Sequence, residues 1–428
     1  MSSAISPSKR QRVESNLGSF KNFPQDAIQK IFSFLSTSNI FKSARTSSEW
    51  NRYISSPLIF SILAQRTGHL PKTDIPRDLS LTSQRQLEVT NFIFARNFKE
   101  KITDSIEKQT RHESDMTMRG ASHALSPKGV ALYLHTDSDY REAIRMAKPT
   151  STESISIITP LEAGRTITSF GCSQRSDRFW AITQFASTHT IVVFDLFDEN
   201  YQAFYHFPEA DEDSSPPICT LSWDEKSIIV YENSLNRLGY INLEAAEFEI
   251  SQSEDLEGIY MMQENSLGHL FSLSSDQTLY LRHKDELPSF QIAGGVQNFC
   301  LGEIGERSLI FAARANGELT VMPMGASETT FQLFPPTCSI NSMNYTDRFS
   351  LLFISSRLPE APLNISFFHV ELEPSLNVIP LTSVGLPPQI SSATYLNQTL
   401  ALTSIGLPGF APPTLQLIPL EQEEQKSE

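Results

Sequence analysis

SLIFAARANGELTVMPM, residues 308–324, decides the fold class. It reads as two short β-strands, SLIFAA at 308–313 and ELTVMPM at 318–324, separated by a polar turn. Working outward, the same unit recurs along most of the chain. Apolar, β-rich runs begin near Val130 (VALYL), Phe179 (FWAIT), Ile228 (IIVY), His269 (HLFSL), Ser308, Ser350 (SLLF) and Thr399 (TLALT). Their starts lie 49, 49, 41, 39, 42 and 49 residues apart. Most are followed by a second strand: IVVFDL at 191–196, RLGYINL at 237–243, TLYLR at 278–282, ISFFHV at 365–370 and TLQLIPL at 414–420. A period of about 40–50 residues with four strands per unit predicts a β-propeller. Seven units close the ring, and no long structureless loop is required.

The landmarks of known propeller repeats are sparse. Gly-Gly pairs of the kelch kind appear once, at Gly294-Gly295. Gly268-His269, Trp223-Asp224, and the turns Ser176-Asp177-Arg178 and Thr346-Asp347-Arg348 resemble landmarks of WD repeats. The repeat is therefore read as a degenerate WD-like propeller over residues 117–420, with an acidic tail at 421–428.

Upstream of the propeller the period changes. Residues 1–19 are polar, with the basic cluster Lys9-Arg10-Gln11-Arg12, and are expected to be disordered. From Pro24, Ile28, Ile31, Phe32 and Leu35 form one apolar stripe at i, i+3, i+4 and i+7 spacing. Ser36, Thr37 and Ser38 supply caps for a second helix carrying Ile40, Phe41 and Ala44. Trp50, Tyr53 and Ile54 mark a third helix and Leu58 to Leu63 a fourth. So small a helical core gains from docking on a partner. Residues 67–116 read as a helical linker, in which Leu87, Phe94, Phe98, Ile102 and Ile106 recur at spacings near four or its multiples. That helix is expected to act as a stiff spacer or to pack beneath the next domain. The fold class is thus multidomain, α plus all-β.

Residues 23–60 resemble the F-box, within a domain read as 20–66. The resemblance rests on Phe23-Pro24, then Ile28, Ile31 and Leu35, then Ile40 and Trp50. Phe23 stands where the family has Leu, and Thr46-Ser47-Ser48 occupies positions that favour Val, Cys and a basic residue. The resemblance implies docking on the adaptor subunit of a cullin-based ubiquitin ligase, with a C-terminal domain holding a protein substrate. Phe23, Pro24, Ile28, Ile31, Phe32, Leu35, Ile40 and Trp50 are the implied adaptor contacts. Some propeller-bearing F-box proteins read phosphorylated peptides through clustered arginines, so Arg165, Arg175, Arg178, Arg237, Arg282, Arg314 and Arg348 are candidate substrate contacts.

Charge and motif content narrow the function classes. Residues 1–115 carry a net +6, whereas residues 116–420 carry 16 Lys and Arg against 34 Asp and Glu, a net −18. Such a domain repels nucleic acid and suits a basic or neutral partner. No apolar run approaches the length that spans a membrane. Cys172, Cys219, Cys300 and Cys338 sit at no metal-ligand interval and read as reduced thiols of a cytoplasmic or nuclear protein. The Lys9–Arg12 cluster matches a nuclear import signal. The chain contains no Gly-x-Ser-x-Gly elbow, Gly-rich phosphate loop or His-Glu-x-x-His helix. His123, His189, His269 and His283 read as strand or turn residues. The expectation is a non-catalytic adaptor without cofactor or metal. Its rival is a scaffold that binds a basic protein such as a histone tail through the acidic propeller, without ubiquitin chemistry.

Overall fold

The computed structural model describes residues 102–103, 106, 112–113 and most of 123–419. All of these lie in one compact unit, Ile93–Glu428. The expected adaptor contacts Phe23, Pro24, Ile28, Ile31, Phe32, Leu35, Ile40 and Trp50 lie outside the described residues, as do Arg165 and Arg348.

Among the described residues the strands group into seven four-stranded antiparallel sheets. Six are simple meanders, and they form blades 1–6 in chain order. Each of the seven apolar runs that set the sequence period is the second strand of a blade, from Ala131–Thr136 in blade 1 to Thr399–Ser404 in blade 7. Innermost strands of successive blades touch in sequence, and the inner strand of blade 7, Ile390–Leu396, returns to that of blade 1, His123–Leu125. The ring is closed.

Blade 7 is built differently. Its first three strands are Ile390–Leu396, Thr399–Ser404 and Thr414–Pro419, but its outer strand is His112–Glu113. That strand pairs antiparallel with the C-terminal strand, His112 opposite Leu415 and Glu113 opposite Thr414. The propeller therefore starts upstream of residue 117, where the strand pattern in the sequence begins.

The core is distributed among the seams between blades. The second strand of blade 5, Arg307–Arg314, shows why these strands read as continuous apolar runs. Leu309, Phe311 and Ala313 point into the seam with blade 6, while Ile310 and Ala312 point into the seam with blade 4. Successive strand side chains face opposite ways, and a blade covered on both sides must be apolar on both. Blades 6 and 7 enclose Phe353, Phe367 and Tyr395, whose ring centroids lie 5.2–5.9 Å apart.

Ile102 is fully buried in this same seam, and Ile106, one helical turn on, packs against it. The end of the linker helix is therefore part of the propeller core, which is the second of the two roles expected for it.

Close approach of inner strands leaves no space at Gly302. A Cβ there would lie 2.2 Å from Tyr345 Cδ1. That ring is itself stacked on Phe311 at 5.1 Å. Gly302→Ala is expected to lower stability by about 2 kcal/mol, read as a lower urea midpoint at unchanged slope. An unchanged midpoint would show that the Tyr345 ring moves aside freely.

Candidate functional site

A meander of four strands sends its turns to two faces. Turns joining first to second strands lie on what we term the lower face. Turns joining second to third strands lie on the upper face, together with the connections between blades.

On the lower face a short polar residue ends the inner strand of each of blades 1–4. Ser126, Ser173, Ser222 and Asn265 each accept backbone N–H groups of the turn that follows. Three of these turns close through a left-handed residue, Gly129 (φ 77), Glu225 (φ 59) or Gly268 (φ 75). Glycine accepts that conformation at no steric cost, which explains the Gly268-His269 landmark.

The same turns reach across to neighbouring blades. Lys128 Nζ lies 2.8 Å from Asp177 Oδ2, linking blades 1 and 2. The Arg175 guanidinium sits 4.3 Å over the Trp223 ring and donates to its carbonyl at 2.9 Å. Arg178 donates to the Glu225 carbonyl at 2.7 Å, and the Ser173 hydroxyl to the Glu225 carboxylate. The Trp223 N–H donates to Glu264 Oε2 at 2.6 Å, and Asn265 Nδ2 to Ser308 Oγ at 3.1 Å. Blades 1–5 are thus stitched along this face. Inside the stitching lies a cleft of about 220 Å³ lined by Cys172, Arg175, Trp180, Cys219, Trp223 and Glu264, among others.

Burial holds the thiols in this cleft in their protonated form. Burial, with the charge of Asp177 adding to it, pushes the Cys172 thiol up to about 12, and its Sγ donates to the Leu125 carbonyl at 2.9 Å. Burial, and then Glu232, raises Cys219 well above the ordinary thiol range. Protonated thiols are neither nucleophiles nor metal ligands at neutral pH. Among the described residues no cluster of three or more His, Cys, Asp and Glu side chains has the arrangement of a metal site.

The candidate arginines divide between the faces. Arg175, Arg178 and Arg282 lie at lower-face turns or strand ends, Arg282 with its side chain buried. Arg237 and Arg314 lie on the upper face. Arg237 is held by Glu232, with Nη2 2.5 Å and Nε 2.7 Å from Oε2. Arg314 Nε lies 3.0 Å from Thr320 Oγ1. In these positions they brace turns and strand ends. The structure also exposes what sequence reasoning passed over, a group of large apolar side chains on the upper face, Phe185, Leu235, Tyr260 and Leu358. Their only sequence signal is position, at a strand end or inside a tight turn, where apolar residues are uncommon.

Residues 20–62 match the F-box domain family. Among solved structures, the C-terminal WD40 domain of Sif2 is similar at 11% identity and TM-score 0.48, over 72% of this chain and 98% of that one. A prolyl endopeptidase structure is similar at 11% identity and TM-score 0.50, over 87% of this chain but 54% of that one. Likeness at such identity concerns the fold alone. No curated protein matches the sequence. The chain thus carries an F-box match at residues 20–62 and, after it in sequence, a β-propeller of seven four-stranded sheets.

Proposed function

We propose that this chain is the substrate-recognition subunit of a cullin-based ubiquitin ligase of the SCF type. The observation that carries the reading is the F-box match at residues 20–62 placed ahead of a closed, rigid propeller. F-boxes bind the ligase adaptor and through it the cullin. Phe23, Pro24, Ile28, Ile31, Phe32, Leu35, Ile40 and Trp50 form the adaptor-facing surface, whose apolar anchors supply most of the docking energy. The propeller then holds a protein substrate. Loops on a rigid scaffold bind, and the chain itself performs no bond chemistry. Its effect is proximity, because tethering raises the effective concentration of substrate lysines at the loaded enzyme.

Co-purification with the adaptor tests this reading. The wild-type chain is expected to bind. Ile31→Asp with Leu35→Asp is expected to weaken binding at least about 100-fold, the loss of roughly 3 kcal/mol at two buried anchors. The propeller of the variant should melt as in the wild type. Failure of the folded wild type to bind any such adaptor would sink the proposal. It would favour a scaffold for a basic protein instead, a reading supported by the net −18 of residues 116–420.

A further inference from the structure

Glycine follows asparagine once in the chain, at Asn316-Gly317. The pair lies in the upper-face turn of blade 5, between Arg307–Arg314 and Glu318–Pro323. Ala315 and Asn316 are exposed there, whereas Gly317 is buried. Asparagine is among the thermolabile residues, because the backbone nitrogen that follows it can attack its side-chain amide. That nitrogen is least shielded when the next residue has no side chain.

The fold has a use for both residues. Gly317 is left-handed at φ 79, and a Cβ there would run into the carbonyl oxygens of Phe334 and Pro335. Asn316 Oδ1 accepts the Glu318 N–H at 3.2 Å, the two-residue reach by which asparagine builds turns. The turn in turn fastens the chain that leaves blade 5. The Gly317 carbonyl accepts the N–H groups of Leu333 and Phe334 at 3.3 and 3.1 Å, and the Asn316 carbonyl accepts Gln332 Nε2 at 3.2 Å. Phe334 then meets Phe368 of blade 6 edge to face, with ring centroids 6.0 Å apart.

Two other turn asparagines, Asn233 and Asn265, are each followed by serine, and the structure holds both. Asn265 is 1% exposed. Its Nδ2, the nitrogen that deamidation would release, donates to Ser308 Oγ at 3.1 Å, and that of Asn233 donates to the Ile259 carbonyl at 3.1 Å. At Asn316 the side chain is open to water. The restraint lies instead on the attacking nitrogen, since the Gly317 N–H donates to the Arg314 carbonyl at 3.1 Å. That bond and the one to Glu318 are at a hairpin tip, where local opening costs least.

We propose that Asn316 is a site of spontaneous deamidation, and that its isoaspartyl product, unlike aspartate, unfastens this turn. The Gly317 amide nitrogen gives up its proton and bonds to Asn316 Cγ, and Nδ2 leaves as ammonia with that proton. Water then opens the cyclic imide at either carbonyl. Opening at Cγ restores the original backbone with an aspartate, whose carboxylate still accepts the Glu318 N–H. Opening at the main-chain carbonyl routes the backbone through Cγ and adds a methylene to it. Gly317 is then carried away from Leu333 and Phe334. Water enters, ammonia leaves, and nothing is oxidised or reduced. The reaction is independent of the receptor reading above.

Ageing the full chain in mildly alkaline buffer, beside a sample unfolded in urea, tests the proposal. Peptide mapping by mass reads conversion at each asparagine, and methylation by an isoaspartyl methyltransferase reads the β-linked product. Position 316 is expected to convert ahead of Asn233 and Asn265. In the folded chain it should run about 10–100 times slower than in urea, since two hydrogen bonds must open first. Aged wild type is expected to melt about 3 °C below fresh protein. Asn316→Ser keeps an oxygen for the Glu318 N–H but cannot cyclise, so its melting temperature should hold on ageing. Fresh Asn316→Asp should melt as the wild type does.

Less than half conversion at 316 after about a hundred urea half-lives would overturn the site. Faster conversion at Asn233 or Asn265 would do the same. Isoaspartate at 316 with an unmoved melting temperature would overturn its effect on the turn, as would an equal fall on ageing Asn316→Ser. A fresh Asn316→Asp chain that melts as low as the aged wild type would place the effect in the new charge, and so would remove the backbone account.

Discussion

A chain shortened to residues 117–428 is expected to melt about 6 °C below one that begins at residue 93, a loss of about 4 kcal/mol. The boundary at 117 is where strand-like sequence begins, yet it severs two parts of the propeller. Ile102 leaves the seam it fills beside Phe353 and Leu400. Emptying a fully buried isoleucine site costs about 2–5 kcal/mol. The His112–Glu113 strand leaves too, so the outer edge of Thr414–Pro419 loses its partner. Removal of residues 1–92, by contrast, should leave the propeller transition in place, since Ile93–Glu428 is compact by itself. Thermal unfolding of the two truncations beside the full chain decides the point. Equal melting temperatures would show that neither Ile102 nor the closing strand carries stability.

Acid is expected to weaken the propeller well above the range where carboxylates titrate. Burial pulls the His123 imidazole down from 6.5 to about 4. Its Nδ1 lies 3.1 Å from Thr403 Oγ1 across the seam between blades 1 and 7, and its Nε2 has no hydrogen-bond partner among the described residues. Between those two values the unfolded chain takes up a proton that the folded one refuses. Stability therefore falls as pH drops from 6.5 and is fully lost from this source near 4. The whole effect is about 3 kcal/mol, and about 2 kcal/mol is already lost at pH 5. His189, also shifted down by burial, acts in the same direction. Urea unfolding at pH 7.5 and pH 5 measures the slope, and His123→Gln should flatten it. A variant with the wild-type slope would remove His123 as its source.

What the sequence disclosed follows from how each strand is covered. Second strands such as Leu351–Arg357 lie between two neighbouring blades and are apolar on both faces, so they announced the period. Inner strands did not. Val296–Ile304 and Ser339–Thr346 carry Gln, Asn and Ser because those side chains hydrogen-bond across the seams. Gln297 Oε1 accepts the Ile340 N–H at 2.9 Å, Gln263 Oε1 accepts that of Leu301 at 3.1 Å, and Ser342 Oγ donates to the Ala393 carbonyl at 2.6 Å. Polar composition there serves the backbone edge, and it breaks the alternation that periodicity relies on. Outer strands such as Thr329–Gln332 are short and largely uncovered, so they carry little apolar signal. His112–Glu113 offers none, because two residues are too few to carry a period.

The site was less legible than the fold. Arginine at a turn looks the same in sequence whether it grips a neighbouring blade, as Arg178 does, or reaches into solvent. Only the assembled ring distinguishes lower-face Arg175 from upper-face Arg237. An exposed Leu235 or Phe185 likewise resembles a core residue until the turn that carries it is placed.

The closing strand also delays completion of blade 7 until the end of synthesis. His112 and Leu415 are paired across about 300 residues, so the outer strand leaves the ribosome long before its partner exists. At about 5–20 residues per second, the interval is roughly 15–60 s. Throughout it the nascent chain holds an incomplete ring with open strand edges that invite pairing with other chains. Premature termination before Ile390–Leu396 leaves that ring open, and termination before Thr414–Pro419 leaves His112–Glu113 without its partner. Cellular yield of this protein should therefore depend on chaperone supply during synthesis more than its finished architecture suggests.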